Sequence, residues 1–130
     1  VYNGKGSAIG VPVAVIVNEN SASASEILAA AIQENEIGVV VGTNTYGKGV
    51  VQTTSYIEST GGWLKITTDA YYTPNGNNIN GVGISPDILM ELPEQYHRMA
   101  IPELVKNHQK EDTQLWEALD YVRERANEVS

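Results

Sequence analysis

Residues 11–17, Val-Pro-Val-Ala-Val-Ile-Val, form an unbroken apolar, largely β-branched run, and no other stretch constrains the fold as strongly. A strand with one wet face alternates apolar and polar side chains. One that does not alternate has to be covered on both faces, as in a parallel sheet flanked by helices. Pro12 has no amide hydrogen to give a ladder and so belongs at the start of the strand. Ile27, Leu28, Ala31 and Ile32 then recur at helical spacing from Glu26 to about Glu34, Asn35 to Gly38 ends the helix, and Ile37 to Val41 is a second buried strand. Strand, helix and strand within about thirty residues predict a right-handed βαβ unit with parallel strands.

Before this unit, Val1 to Gly10 reads as a glycine-rich loop. After it, Gly42 to Gly49 is a loop, and Val50 to Ile57 and Trp63 to Tyr72 are antiparallel partners across the turn Ser59-Thr60-Gly61-Gly62. That pairing puts Leu64, Ile66 and Thr68 on one face of the second strand. Thr73-Pro74-Asn75-Gly76 is a turn, the polar stretch to Asp87 is a loop, and Ile88 to Leu92 is a short strand stopped by Pro93. Pro102 to Lys110 has the pattern of a short helix. Asp112 is placed to cap a longer one from Thr113 to about Asn127, with an apolar stripe of Leu115, Leu119 and Val122 and Trp116 beside it. That stripe needs a surface, on this chain or on a neighbouring one.

The turn between the first strand and the helix, Asn20-Ser21-Ala22-Ser23-Ala24-Ser25-Glu26, carries serines at alternate positions. Serine competes for local backbone hydrogen bonds and suits a sharp turn at a helix N-terminus. Ser23 followed by Glu26 has the spacing of a capping box, so the run reads either as a helix start alone or as a turn presenting a hydroxyl for chemistry. A serine nucleophile needs a base. His97 and His108 lie in the charged C-terminal part, away from the βαβ unit, which leaves lysine. Lys48 stands between Gly47 and Gly49, and paired glycines permit close backbone approaches that set an ammonium into a cleft, where desolvation lowers its pKa from about 10.4. The plain alternative is a glycine-rich turn with a surface lysine.

Composition removes other classes. Eight Lys and Arg against sixteen Asp and Glu give a net charge of −8, which disfavours nucleic acid and anionic membrane surfaces. With no cysteine there is no disulfide framework and no thiolate chemistry. No histidine–carboxylate cluster has metal-ligand spacing, no glycine-rich phosphate loop follows a strand in the required order, and no cofactor is expected. The longest apolar run is too short to span a bilayer. The opening residues show no targeting segment, and the chain reads as a piece of something longer.

Asn18 to Ile27, Val41-Gly42-Thr43 and Tyr46-Gly47-Lys48-Gly49-Val50-Val51-Gln52, in that order, closely resemble the core of the carboxyl-terminal processing proteases, the tail-specific serine peptidases with a Ser-Lys dyad. Tyr71-Tyr72-Thr73-Pro74-Asn75-Gly76 and Gly83-Ile84-Ser85-Pro86-Asp87 resemble their downstream segment, and the match runs from about Val11 to Leu92. The resemblance implies an α/β fold, the ββα spiral shared with crotonases and Clp-type peptidases, here partial, with a β-hairpin and a C-terminal helical extension. Residues 1–95 are then part of a peptidase core and 96–130 the extension.

It also implies Ser23 as nucleophile, Lys48 as general base, Gln52 as the residue orienting the lysine amine, and the Ala24 amide as an oxyanion donor. In a straight strand residues four apart are separated by about 13 Å, so a Lys48–Gln52 contact requires a bend or bulge at Gly49. The family's other oxyanion donor and its PDZ domain lie upstream, and nothing before Val11 resembles them, so this piece alone is expected to have little or no activity. By the same resemblance the parent is a serine endopeptidase of the cell envelope, periplasm or thylakoid lumen that cuts proteins and peptides with exposed C-termini. Two competing readings are a non-catalytic binding module, in which the C-terminal helix supports homo-oligomerisation, and an acyl-thioester enzyme of the crotonase type.

Overall fold

The computed structural model describes residues 10–128; the loop expected over Val1 to Gly10 lies, but for its last residue, outside them. Strand β1 (Val13–Val17), helix α1 (Ala24–Glu34) and strand β2 (Gly38–Gly42) form the expected unit, with β1 and β2 parallel and paired from Val13–Gly38 to Val17–Gly42. A short strand β5 (Ile88–Leu89) pairs in parallel with the other edge of β2, giving the order β1-β2-β5. The strand predicted over Ile88 to Leu92 thus closes after two residues.

The central strand explains the unbroken apolar runs. Val40 is fully buried against α1, in a cluster with Val17, Ala29, Ala30, Ile79 and Ile84. Val39 and Val41 face the other way, onto Ala118 of helix α3 (Thr113–Glu128), with Ala14, Ile88, Met90 and Tyr121 alongside. Both faces of β2 are dry, as a non-alternating strand requires. Small side chains at Ala29, Ala30 and Ala118 let the helices approach the sheet closely.

Helix α3 therefore covers its own chain's sheet, but on a different face from the predicted stripe. Gln114 and Ala118 are its buried residues, while Leu115, Leu119 and Val122 are half-buried. Gln114 donates from Nε2 to the Met90 carbonyl at 2.8 Å, so a polar residue occupies the inward position because it satisfies the backbone just past β5. Asp112 caps α3 as expected, its Oδ1 accepting the Leu115 amide at 2.9 Å. The short helix α2 (Ile101–Asn107) stops earlier than predicted and is followed by a 3-10 turn at Gln109–Glu111.

Strands β3 (Val50–Ile57) and β4 (Gly62–Ala70) make a separate antiparallel hairpin, exposed on both faces for most of its length. Its register shifts between Val51 and Gln52: Val51 pairs with Asp69 and Gln52 with Thr67, leaving Thr68 without an opposite number. The alternation expected along β4 is interrupted there.

One tie between these layers is absent from any periodicity. Asp87 accepts the buried Val40 amide on Oδ2 at 2.8 Å and the Gln33 side-chain amide on Oδ1 at 2.9 Å, while its own amide donates to the Val40 carbonyl at 2.8 Å. Asp87→Ala removes the acceptor from the amide of the fully buried Val40, so urea denaturation should show a loss of about 1–3 kcal/mol. Asp69→Ala on the exposed hairpin should change stability by less than about 0.5 kcal/mol.

Candidate active site

Parallel strands end at the same edge of a sheet, so the segments leaving β1 and β2 emerge side by side. The first contains the serine turn and the second the loop 43–49. They are joined directly: the Tyr46 amide donates to the Ser21 carbonyl at 3.0 Å.

The deeper connection is Glu26, whose side chain is fully buried. Its Oε1 accepts from Thr45 Oγ1 and from the Gly47 amide, each at 2.6 Å. Its Oε2 accepts the Ser23 amide and the Lys48 amide, each at 2.8 Å. The backbone nitrogens of Ser23 and Lys48 thus lie no further apart than two hydrogen-bond lengths through one oxygen atom. Burial pushes the Glu26 carboxyl pKa up, but hydrogen bonds from Thr45, Lys48, Gly47 and Ser23 outweigh it and hold the group below the ordinary glutamate value of 4.5. Spacing alone reads Glu26 as one half of a capping box. It does accept the Ser23 amide in that way, yet most of its hydrogen-bonding capacity goes to the lysine loop.

Ser23 has φ 58° and ψ −112°, a left-handed backbone that non-glycine residues avoid. Strained serines between a strand and a helix are a recurring way of exposing a hydroxyl at a helix N-terminus. Neither Ser21 nor Ser25 has a positive φ. The Glu26 and Ile27 amides both donate to the Ser23 carbonyl at 3.0 Å, and Ala24 begins α1, where the helix end favours negative charge.

Lys48 is half-buried. It lines an open cleft of about 580 Å³ with Gln52, Ala22, Tyr46 and Asn80. The described residues hold two ion pairs, Arg123–Asp120 and Arg125–Glu128, both on α3, so no carboxylate pairs with the lysine. The flanking glycines serve close backbone contact. A Cβ on Gly47 would stand 2.9 Å from the amide nitrogens of Val82 and Gly83, and one on Gly49 would stand 2.7 Å from that of Asn80. Lys48 precedes β3, and the irregularity nearest Gln52 is the register shift at Val51/Gln52 rather than a bulge at Gly49.

Two further residues complete the support. Thr45 Oγ1 also accepts the Ile84 amide at 2.7 Å, and Asn80 Oδ1 accepts the Gly49 amide at 3.3 Å. His97 is not remote from the serine turn: it lines a cavity of about 380 Å³ with Asn18, Asn20, Ser21 and Ser25. Its Nε2 donates to the Leu92 carbonyl at 2.5 Å. The segment after β5 carries it back to the βαβ unit, which sequence distance could not reveal. His108 packs against Tyr96 with the rings tilted by 39° and their centroids 5.0 Å apart. Among the described residues no three His, Cys, Asp or Glu side chains gather as a metal site, and no helix is long and apolar enough to cross a membrane.

A family model described as Peptidase family S41 matches residues 2–90. A carboxy-terminal-processing protease of Bartonella bacilliformis is 48% identical over 87 residues, which cover 65% of this chain and 20% of the relative. The solved photosystem II D1 C-terminal processing protease superposes with a TM-score of 0.60 at 40% identity, covering 65% of this chain and 22% of that one. The tricorn protease, at 22% identity and a TM-score of 0.61, covers 86% of this chain and 10% of its own and speaks to the fold alone. The architecture is the α/β Clp-peptidase-like fold expected from the sequence. The chain spans about a fifth of the length of the curated relatives it matches.

Because the Glu26 carboxyl titrates lower in the folded state, the stability it contributes is complete above about pH 4.5 and is lost as pH falls through the lowered value. At pH 7 Glu26→Gln should cost about 3 kcal/mol, since on either side the new amide nitrogen leaves at least one backbone amide, that of Gly47 or those of Ser23 and Lys48, without an acceptor. Urea titrations between pH 7 and pH 3 should show the gap between wild type and variant shrinking as the native carboxylate is protonated. A gap independent of pH would contradict the ionised clamp.

Proposed function

The chain belongs to peptidase family S41, and from that premise we propose that it carries the nucleophile and base of a serine endopeptidase that cleaves proteins near their C-termini. Ser23 Oγ attacks the scissile carbonyl while Lys48 Nζ takes the hydroxyl proton. The C–N bond then breaks, Lys48 passes that proton to the leaving amine, and the acyl group remains on Ser23. Water, deprotonated by Lys48 Nζ, then attacks the acyl carbonyl, the C–O bond to Ser23 breaks, and Lys48 returns the proton to Ser23 Oγ. The Ala24 amide faces the charge that develops on the carbonyl oxygen, and Gln52 orients the lysine amine. The observation that carries this reading is the single oxygen, Glu26 Oε2, accepting the amides of both Ser23 and Lys48. The strained backbone at Ser23 and the cleft shared by Lys48 and Gln52 support it.

The substrates are proteins or peptides with exposed C-termini, met outside the cytoplasm, and the second oxyanion donor comes from a part of the parent outside residues 10–128. Losing one such donor costs about 3 kcal/mol of transition-state stabilisation, so these 130 residues alone have little or no activity. Self-association is a second reading. It draws on the exposed apolar side chains of the hairpin, Trp63, Leu64 and Ile66, more than on α3, whose inner face is spent on its own sheet.

In the intact parent, Ser23→Ala and Lys48→Ala should each lower peptide turnover by at least about 10³-fold, with a smaller loss for Gln52→Ala. Turnover by Lys48→Ala at the wild-type rate would rule the dyad out. A monomeric chain at high concentration by light scattering would remove the assembly reading.

A further inference from the structure

The open cleft of Lys48 is lined by three carboxamide side chains, Asn20, Gln52 and Asn80, and by no carboxylate, in a chain whose net charge is −8. A carboxamide sets an acceptor oxygen beside an N–H donor, the same functions that a peptide bond presents. Asn80 is the one whose orientation the backbone fixes. The amide of Gly49, a buried glycine next to Lys48, can only donate, and it donates to Asn80 Oδ1 at 3.3 Å. The oxygen is thereby assigned to the lysine loop and the nitrogen to the other prong of the carboxamide. Among the described residues nothing accepts from Asn80 Nδ2, and the residue is exposed.

The loop that carries Asn80 moves as one body with Lys48. The Asn80 amide donates to Asn78 Oδ1 and the Gly81 amide to the Gly47 carbonyl, each at 2.8 Å. With the Asn80–Gly49 bond, residues 80 and 81 are thus fastened to the chain on both sides of the lysine. The cleft therefore holds an oriented, unspent N–H donor in a fixed relation to the general base.

The geometry points to Asn80 as a substrate-binding residue, whose Nδ2 donates to a main-chain carbonyl, other than the scissile one, of the peptide lying in the cleft. The inference rests on the peptidase reading above, since a peptide whose scissile carbonyl reaches Ser23 beside Lys48 has to cross this cleft. An extended peptide presents its carbonyls at intervals of about 3.3 Å, and hydrogen bonds to them fix its register without regard to side-chain sequence. A neutral donor suits this place. A carboxylate would pair with the lysine and a cation would repel it, whereas a carboxamide holds the substrate and leaves the amine to the reaction.

The test uses the intact parent and a set of peptides of one sequence, each with a single carbonyl near the scissile bond, on either side of it, replaced by a thiocarbonyl, a weaker acceptor. In the wild type one replacement should lower kcat/KM by about threefold or more, the scale of one neutral hydrogen bond. In Asn80→Ala that same replacement should have no effect, and likewise in Asn80→Asp, which keeps an acceptor for Gly49 but loses the donor. Asn80→Gln, which keeps the donor, should retain the sensitivity. A purely structural role for Asn80 lowers turnover of the parent peptide and the thiocarbonyl peptide alike, so it cancels in the ratio. Equal ratios at every position in the wild type and all three variants, with cleavage still abolished by Ser23→Ala, would overturn the Asn80 contact alone. Absence of any cleavage sensitive to Ser23→Ala would overturn the peptidase reading and the contact with it.

Discussion

Glu26 is inaccessible to solvent and accepts four hydrogen bonds from two segments about twenty residues apart in the chain: Ser23 on one side, and Thr45, Gly47 and Lys48 on the other. Burying an ionised carboxylate costs several kcal/mol unless its lone pairs are filled. Filling them with three backbone amides and one hydroxyl leaves the two segments little freedom. If either shifts, a charge is left uncompensated in a dry site. The strained turn and the glycine-bounded loop are held against each other by that penalty, and the cleft in front of them inherits its shape.

The sheet makes the clamp possible. Because β1 and β2 are parallel, the segments that leave them start at neighbouring points of one edge, and Ala29 and Ala30 let α1 lie close against Val40. The first turn of α1 is thereby delivered to the loop after β2. The loop 79–84 then backs the lysine segment: Ile84 is bonded to Thr45, Gly81 to Gly47 and Asn80 to Gly49. Glycines at 47 and 49 are what allow two backbones to run that close. A cavity of about 270 Å³ along α1 arises from the same arrangement, since the Tyr71 amide is fastened to Gly49 while the helix supplies the facing wall.

Much of the fold was legible because it rests on local patterns. The non-alternating runs required a sheet covered on both faces, the 3.6-residue period marked α1, and Asp112 marked the start of α3. Where expectations failed, a long-range hydrogen bond outweighed hydrophobicity. Gln114 turns inward to reach the Met90 carbonyl, which rotates the apolar stripe of α3 partly out of the core. His97 returns to the serine turn because the irregular chain after β5 doubles back, and irregular chain has no period to read. The Asp87–Val40 tie is likewise silent in sequence, a carboxylate in a loop like any other.

From residues alone, the βαβ unit, the serine turn and a lysine between glycines were determined, since each is a matter of side-chain volume, backbone freedom and short-range spacing. Three serines remained equivalent on those grounds until the family resemblance chose one, and Glu26 passed for a cap. Tertiary structure decided that Ser23 alone among the three carries the strained backbone, that Glu26 joins the serine turn to the lysine loop, and that a cavity lies along α1. The reason is physical: a carboxylate's role depends on which donors surround it after burial, and those donors come from loops whose meeting point no local pattern encodes.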